Sequence, residues 1–294
     1  VTIFGADASS AQGAADWAHA GGHFGWEKAT EGIGYVNPYW PAAKIALQAR
    51  AQADGFVPGA YLFLHESNAA AQADHFAATA GDLTGFAIAV DVEPTGTSRP
   101  TPLDAATAVE QLRKHYPQHP VGGYIPHWYW GSQDTTFVDY LWASEYVSGV
   151  GTPEQLYPHV PVSWWDPYGG RGPALLQFSS RAVVAGFSGL VDVSAWRGTQ
   201  AALRELVTGV KQHPDWQEAM MQKLPTIREG AAGPNVWTVQ HLINARTEKE
   251  LLKPSGHFDK RTDEAVRGLQ RRHGLRVDGI VGPRTWEALV TGSP

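Results

Sequence analysis

Two carboxylates separated by one residue, Asp91 and Glu93, stand at the end of an apolar run in the stretch GFAIAVDVEPTG, residues 85–96. A strand has a side-chain period of two, so positions 91 and 93 share a face while Val92 takes the other. A rise of about 6.6 Å between them lets each carboxyl perturb the other's pKa. A carboxyl group that stays protonated near neutrality can serve as a general acid. Pro94 cannot donate to a strand ladder and marks the exit of the strand. The pair therefore sits at a C-terminal strand end, where barrel enzymes carry their chemistry. Solvated acids at strand ends are also common, so the elements around the pair must decide its meaning.

Those elements alternate short apolar strands with amphipathic helices up to about residue 205, the pattern of an α/β fold with a parallel sheet. TIFGADAS reads as a first strand with a helix over 11–20, and FGWEKAT as a second with a helix over 38–53. PGAYLFL precedes the Ala-rich helix 68–80, GFAIAVDVE precedes a helix over 103–116, and VGGYIPH is the fifth strand. LWASEY, ALLQFS and GLVDVSAW complete eight strands, joined by irregular segments, and a helix over 199–210 packs the end. The expected fold is an eight-stranded TIM-like barrel with an incomplete helical ring, (β/α)5(β)3, over residues 1–210. A linker is expected over 211–224, followed by a small all-α domain of three helices over 225–294. In that tail Gly-Pro at 233–234 and 282–283 each stands ahead of a helix, as suits Pro in a first turn. An apolar–Gln step, Val239–Gln240 and Leu269–Gln270, recurs within its helices.

The chain has 294 residues, 43% of them hydrophobic and 18% charged, an ordinary globular composition that argues against disorder. The formal charge of −6 is unevenly spread: residues 222–294 hold 12 Lys and Arg against 8 Asp and Glu, a balance of +4. Such a tail suits a negatively charged partner, either an anionic wall polymer or nucleic acid. The absence of cysteine removes a thiolate nucleophile and a thiolate zinc site. LHESNAA is not H-E-x-x-H, and KHYPQHP interrupts its His pair with proline, so no metal site is read. No apolar run has the length of a membrane span. Val1 opens no signal peptide, and the missing initiator Met suggests a processed chain.

The opening GADASSAQGAADWAHAGGHFGWEKATEGIGYVNPYW resembles the start of the glycoside hydrolase family 25 lysozymes. GAYLFL, AVDVEP, LWASEY, LLQFSS and GLVDVSAW resemble later strands of that family, in the right order over roughly residues 3–200. The tail, with VDGIVGPRTWEAL, resembles the three-helix type of peptidoglycan-binding module. The chain departs from the family pattern at Leu62, usually His, and at Leu176, often Trp. Chitinase-like barrels carry a further Asp two residues before the Asp-x-Glu pair, where this chain has Ala89.

The resemblance implies Glu93 as general acid, Asp91 as the group that orients and stabilises, and Asp7 and Asp192 as further acids at the barrel mouth. It implies Tyr61 as a hydrogen-bonding partner of a carboxylate or the sugar. Gln177 could bind sugar or brace a strand end, and Lys28, beside Glu31, could balance charge. The aromatic clusters HWYW (127–130) and WW (164–165) offer faces for sugar stacking, with Trp128 and Tyr129 the expected substrate contacts. The implied activity is hydrolysis of the β-1,4 bond between N-acetylmuramic acid and N-acetylglucosamine. It would be carried out without cofactor or metal, by a secreted enzyme or phage endolysin that is monomeric. The implied partner is peptidoglycan, with no nucleic acid and no membrane insertion. The competing readings are an inactive wall-binding protein and a wall amidase or peptidase.

Overall fold

The computed structural model describes residues 1–209, 224–247 and 251–291, so the expected linker lies outside the described residues except for Leu224. The chain forms two compact units, Val1–Lys211 and Gln212–Pro294.

The first unit is a closed barrel. Its strands are β1 (Ile3–Ala8), β2 (Phe24–Glu31), β4 (Val57–Phe63), β5 (Ala87–Asp91), β6 (Val121–Tyr124), β7 (Leu141–Ser144), β8 (Pro173–Ala182) and β9 (Val191–Trp196). They hydrogen-bond in the order β1-β9-β8-β7-β6-β5-β4-β2, and pairing of β1 with β2 closes the ring. A two-residue strand, β3 (Tyr35–Val36), folds back on β2 outside the ring. The sheet is not wholly parallel, as the alternating pattern had suggested. β9 runs antiparallel to both neighbours, β8 and β1. The segment between β8 and β9 covers only 183–190, and a parallel return needs a crossover of about a dozen residues or more.

Helices α1 (Trp40–Asp54), α2 (Ala69–Ala80) and α3 (Pro102–His115) follow β3, β4 and β5, and a single turn, α4 (His127–Trp130), follows β6. A second single turn, α5 (Pro153–Leu156), lies between β7 and β8. The helix expected over 11–20 does not form; only a 3-10 turn, Ser10–Gln12, is present, ending at Gly13 with φ 72°. Trp17 is instead drawn inward. Its indole N–H donates to Glu27 Oε2 at 2.8 Å, and Asn37 Nδ2 donates to Glu27 Oε1 at 2.7 Å. Burial outweighs these two bonds and lifts the Glu27 carboxyl to about 7.

Period-two alternation divides the strand residues between two cores. Outward residues such as Leu62, Ile88, Val90 and Leu176 pack in the layer shared with the helices. Inward residues, among them Phe24, Trp26, Val57, Ala89, Tyr140 and Trp142, fill the barrel. Leu203 and Val207 of α6 (Gln200–Thr208) join that inner cluster. The bulky aromatics need small neighbours. A Cβ on Gly59 would fall 2.3 Å from Trp26 Nε1, and one on Gly122 would fall 2.1 Å from a Tyr140 ring carbon.

Among the described residues the second unit has three helices, α7 (Pro234–Thr247), α8 (Lys260–Arg272) and α9 (Pro283–Thr291), around Val236, Val239, Ile243, Phe258, Val266, Leu269 and Trp286.

Candidate active site

At the C-terminal ends of the parallel strands the inward positions turn from apolar to polar. A cavity of about 260 Å³ opens there, and every strand of the ring contributes to its wall. Asp7 comes from β1, Lys28 from β2, Tyr61 and Phe63 from β4, and Asp91 from β5. Tyr124, Trp142, Gln177 and Asp192 come from β6 to β9, and Glu93 stands just beyond β5. The strand register brings Asp7 opposite Asp192 and Asp91 opposite Tyr124. Strand β5 ends at Asp91, so Glu93 sits past the ladder rather than within it.

Burial raises all four carboxyls, and neighbouring carboxyls add to it at Asp7, Asp91 and Glu93. Burial first, then Asp192, pushes Asp7 well above the ordinary carboxylate value, against the hydrogen bond from Gln177. Burial first, then Glu93, does the same to Asp91, with Lys28 opposing. Asp91 Oδ1 is buried with no protein partner, so its loss of water is uncompensated. Glu93 is raised by burial and by Asp192, again against Lys28, and Asp192 is lifted by burial to about 6. Groups so coupled titrate as a set rather than one by one.

Gln177 organises one side of this cluster. Its Nε2 donates to Asp7 Oδ1 and Oδ2 at 3.0 and 2.9 Å. Its Oε1 accepts from the phenols of Tyr124 at 2.8 Å and Tyr146 at 2.6 Å. The amide nitrogen is thus shared between the two oxygens of one carboxylate, and both lone pairs of the amide oxygen are engaged. Gln177 thus braces Asp7 while standing in the cavity wall, a placement compatible with contact to a sugar hydroxyl. Tyr61, also on the cavity wall, donates to the Ala8 carbonyl at 3.3 Å and keeps its acceptor lone pairs. Lys28 donates to Glu31 at 2.9 Å and lies 4.4 Å over the Phe63 ring. Glu31 bridges in turn to His65 at 3.2 Å.

Residues 6–187 match the family model described as glycosyl hydrolases family 25, and residues 232–289 match a putative peptidoglycan binding domain. The first match spans more than half of the 294 residues. The chain belongs to glycosyl hydrolase family 25. It is 33% identical over 190 residues to an N,O-diacetylmuramidase of Chalaropsis sp, covering 57% of this chain and 85% of that protein. It is 38% identical over 64 residues to the N-acetylmuramoyl-L-alanine amidase CwlL of Bacillus licheniformis; that stretch is 21% of this chain and spans only 18% of the amidase. The fold is similar to that of the bacterial lysozyme from Streptomyces coelicolor, with a TM-score of 0.54 at 24% identity, covering 70% of this chain and 97% of that one.

As a family 25 glycosyl hydrolase the chain brings Asp7, Asp91, Glu93, Asp192, Tyr61 and Gln177 to one cavity. The family match ends at residue 187, and Asp192 reaches the cavity from β9, opposite Asp7. The other two expected contacts are elsewhere. Trp128 and Tyr129 lie on α4 and are not part of the cavity wall. Trp128 is 58% exposed, whereas the Tyr129 hydroxyl is spent on the Pro100 carbonyl at 2.8 Å. The departures at Leu62 and Leu176 face the helical layer, both fully buried, and leave the cavity wall untouched. Tyr124 and Tyr146 were missed. Tyr124 was findable, because it ends its strand on the inward face as Asp91 does, in the adjacent register position. Tyr146 lies beyond β7, where no periodicity applies.

The cluster carries a stability cost with a definite sign. Asp192 has its folded pKa raised, from 3.8 to about 6. Its protonated form therefore favours the fold; that stability is full below the unfolded value and is lost as pH rises through the folded one. Asp192→Asn removes the charge without changing shape. It should be more stable than the parent at pH 7–8, by roughly 1–3 kcal/mol, and nearly equal to it near pH 3. Thermal melts of both proteins across this range check it; an unchanged difference between acid and neutral pH would count against the assignment.

Proposed function

We propose that the chain is a lysozyme, an N-acetylmuramidase that hydrolyses the β-1,4 bond between N-acetylmuramic acid and N-acetylglucosamine in bacterial peptidoglycan. The observation that carries this reading is the convergence of four carboxyls, Asp7, Asp91, Glu93 and Asp192, on one cavity at the barrel mouth. Glu93 gives its proton to the leaving oxygen. Asp91, beside it, is placed to hold the 2-acetamido group of the muramic residue, whose carbonyl oxygen attacks the anomeric carbon. A water activated by the then ionised Glu93 opens the intermediate, with net retention of configuration. Asp7 and Asp192 add negative potential that stabilises the developing positive charge on the sugar ring. Trp128, exposed on α4, offers a stacking face for a sugar further along the strand.

Digestion of purified peptidoglycan with product analysis tests this. New reducing ends at N-acetylmuramic acid are expected; new amine ends would replace it with an amidase or peptidase reading. The CwlL likeness spans under a fifth of that amidase and does not carry its activity to this chain. We assign the enzyme to the cell wall outside the membrane, as a monomer, with peptidoglycan as its partner. Neither nucleic acid nor the bilayer has a part in this reading. Among the described residues no helix is long and apolar enough to cross a membrane.

The second unit serves to hold the enzyme on the wall. Deleting residues from about 222 onward should leave a folded barrel that turns over a short soluble glycan at nearly the parent rate. Lysis of whole walls should fall severalfold, because anchoring raises the local enzyme concentration. Loss of soluble-glycan turnover in a well-folded truncation would mean instead that the tail shapes the catalytic cleft.

A further inference from the structure

The second unit contains the same loop twice. SGHFDKRT, residues 255–262, and DGIVGPRT, residues 278–285, share Gly at the second position and Arg-Thr at the end. Each is sewn to the preceding helix by one buried glutamine. Gln240 Oε1 accepts from the backbone of Ser255 and Gly256 at 2.9 and 3.0 Å, and its Nε2 donates to the His257 carbonyl at 2.9 Å and Thr262 Oγ1 at 3.0 Å. Gln270 Oε1 accepts from Asp278 and Gly279 at 3.1 and 3.0 Å, and its Nε2 donates to the Ile280 carbonyl at 3.0 Å and Thr285 Oγ1 at 3.3 Å. The recurring Gln is therefore a structural amide in both copies.

The two copies differ in what covers the loop. Seven and three residues before Gln270 stand Asp263 and Arg267, which pair at 2.7 Å. Arg267 also donates to the carbonyls of Val277 and Asp278 at 3.2 and 2.9 Å. Asp263 lies so close over Gly279 that a Cβ there would fall 2.0 Å from its carboxylate. That loop is closed. The matching positions before Gln240 are Gly233 and Trp237. Gly233 has no side chain to reach across, and its N–H donates to the Gly256 carbonyl at 2.8 Å. A cleft of about 470 Å³ remains between Trp237, Gly233, Ser255, Gly256 and His257. Its size falls in the range of roughly 300–1,000 Å³ usual for small-ligand clefts.

Trp237 is 51% exposed, an unusual state for the most area-rich apolar side chain. Its ring is backed by His241, with centroids 3.8 Å apart, and is thus held in place before any ligand arrives. The wall of the cleft carries no Lys, Arg, Asp or Glu. A flat indole beside a hydroxyl and an imidazole matches a pyranose, whose C–H face is apolar and whose rim is hydroxyl and acetamide. It does not match a charged peptide stem. We propose that this cleft binds one N-acetylated sugar ring of the wall glycan, stacked on Trp237, and that it is the anchoring site of the second unit. This rests on the wall-binding reading of that unit given above.

The test uses the full chain carrying Glu93→Gln, so that the wall is not consumed. The indole N–H signal that vanishes in Trp237→Phe identifies the residue in an ¹H–¹⁵N spectrum. On addition of glycan strands stripped of peptide, that signal should shift, and the shift should persist in ~0.5 M salt because no ion pair is involved. Retention on purified walls should fall about tenfold or more in Trp237→Ala, a typical loss for a tryptophan anchor, and should be partly kept in Trp237→Phe. Matching melting curves for the variants exclude unfolding as the cause. If the parent chain is not retained by walls at all, the wall-binding reading and this site fall together. If it is retained but the Trp237 signal stays fixed with stripped glycan, or moves only with peptide-bearing fragments, the glycan site alone is overturned.

Discussion

Glu93→Gln should fold as the parent does and lose about 10²–10⁴-fold in turnover, the usual worth of a positioned general acid. Gln has the shape of protonated Glu but no proton to give, so binding of the glycan should survive while cleavage stops. The parent should also lose activity on the alkaline side as Glu93 ionises. That limb should lie above the position of an ordinary glutamate, because burial and Asp192 both raise its pKa. Removing the Asp192 charge in Asp192→Asn should move the limb toward lower pH. Rates on a soluble glycan against pH, for the parent and both variants, check the whole set. A folded Glu93→Gln protein that still lyses walls at near the parent rate would remove Glu93 from the chemistry.

Asp91→Asn should cost about 10²–10³-fold in turnover, the scale on which one preorganised electrostatic contact acts. The carboxyl is 7% exposed, with one oxygen lacking any protein partner, so it is held ready for a group that arrives with the substrate. If that group is the 2-acetamido nitrogen, de-N-acetylated walls should be cut poorly by the parent, and Asp91→Asn should lose little more on them. The product should retain its anomeric configuration by NMR. Equal cleavage of N-acetylated and de-N-acetylated walls, or inversion at the anomeric carbon, would transfer the attack to another group.

The legible part of the site was the part with a local signature. Asp91 and Glu93 announce themselves because an apolar β-run ends in acids and proline, and the barrel follows from the alternation of strand and helix. Gln177 was visible as a letter but ambiguous in role, since only its partners show what the amide holds. Gln177 bonds Asp7, Tyr124 and Tyr146, partners that lie far from it in the sequence. The helix expected over 11–20 failed for one reason within its own residues and one outside them. Its apolar spacing was adequate, but Gly13 breaks the turn and Trp17 gains a buried partner in Glu27 from the neighbouring strand.

Asp192 marks the boundary most sharply. The family resemblance implies it at the barrel mouth, whereas reading all strands as parallel would put this acid of the run GLVDVSAW near the wrong end of the barrel. The link over 183–190 is too short for a parallel return, so β9 turns back and its first residues lie at the mouth. There Asp192 meets Asp7 across the seam that closes the ring. Local patterning determined which residues form strands, which faces are apolar and where two acids pair within one strand end. The direction of the last strand, and with it the meeting of four carboxyls from three separate parts of the chain, was decided by ring closure, a long-range constraint that no window of residues contains.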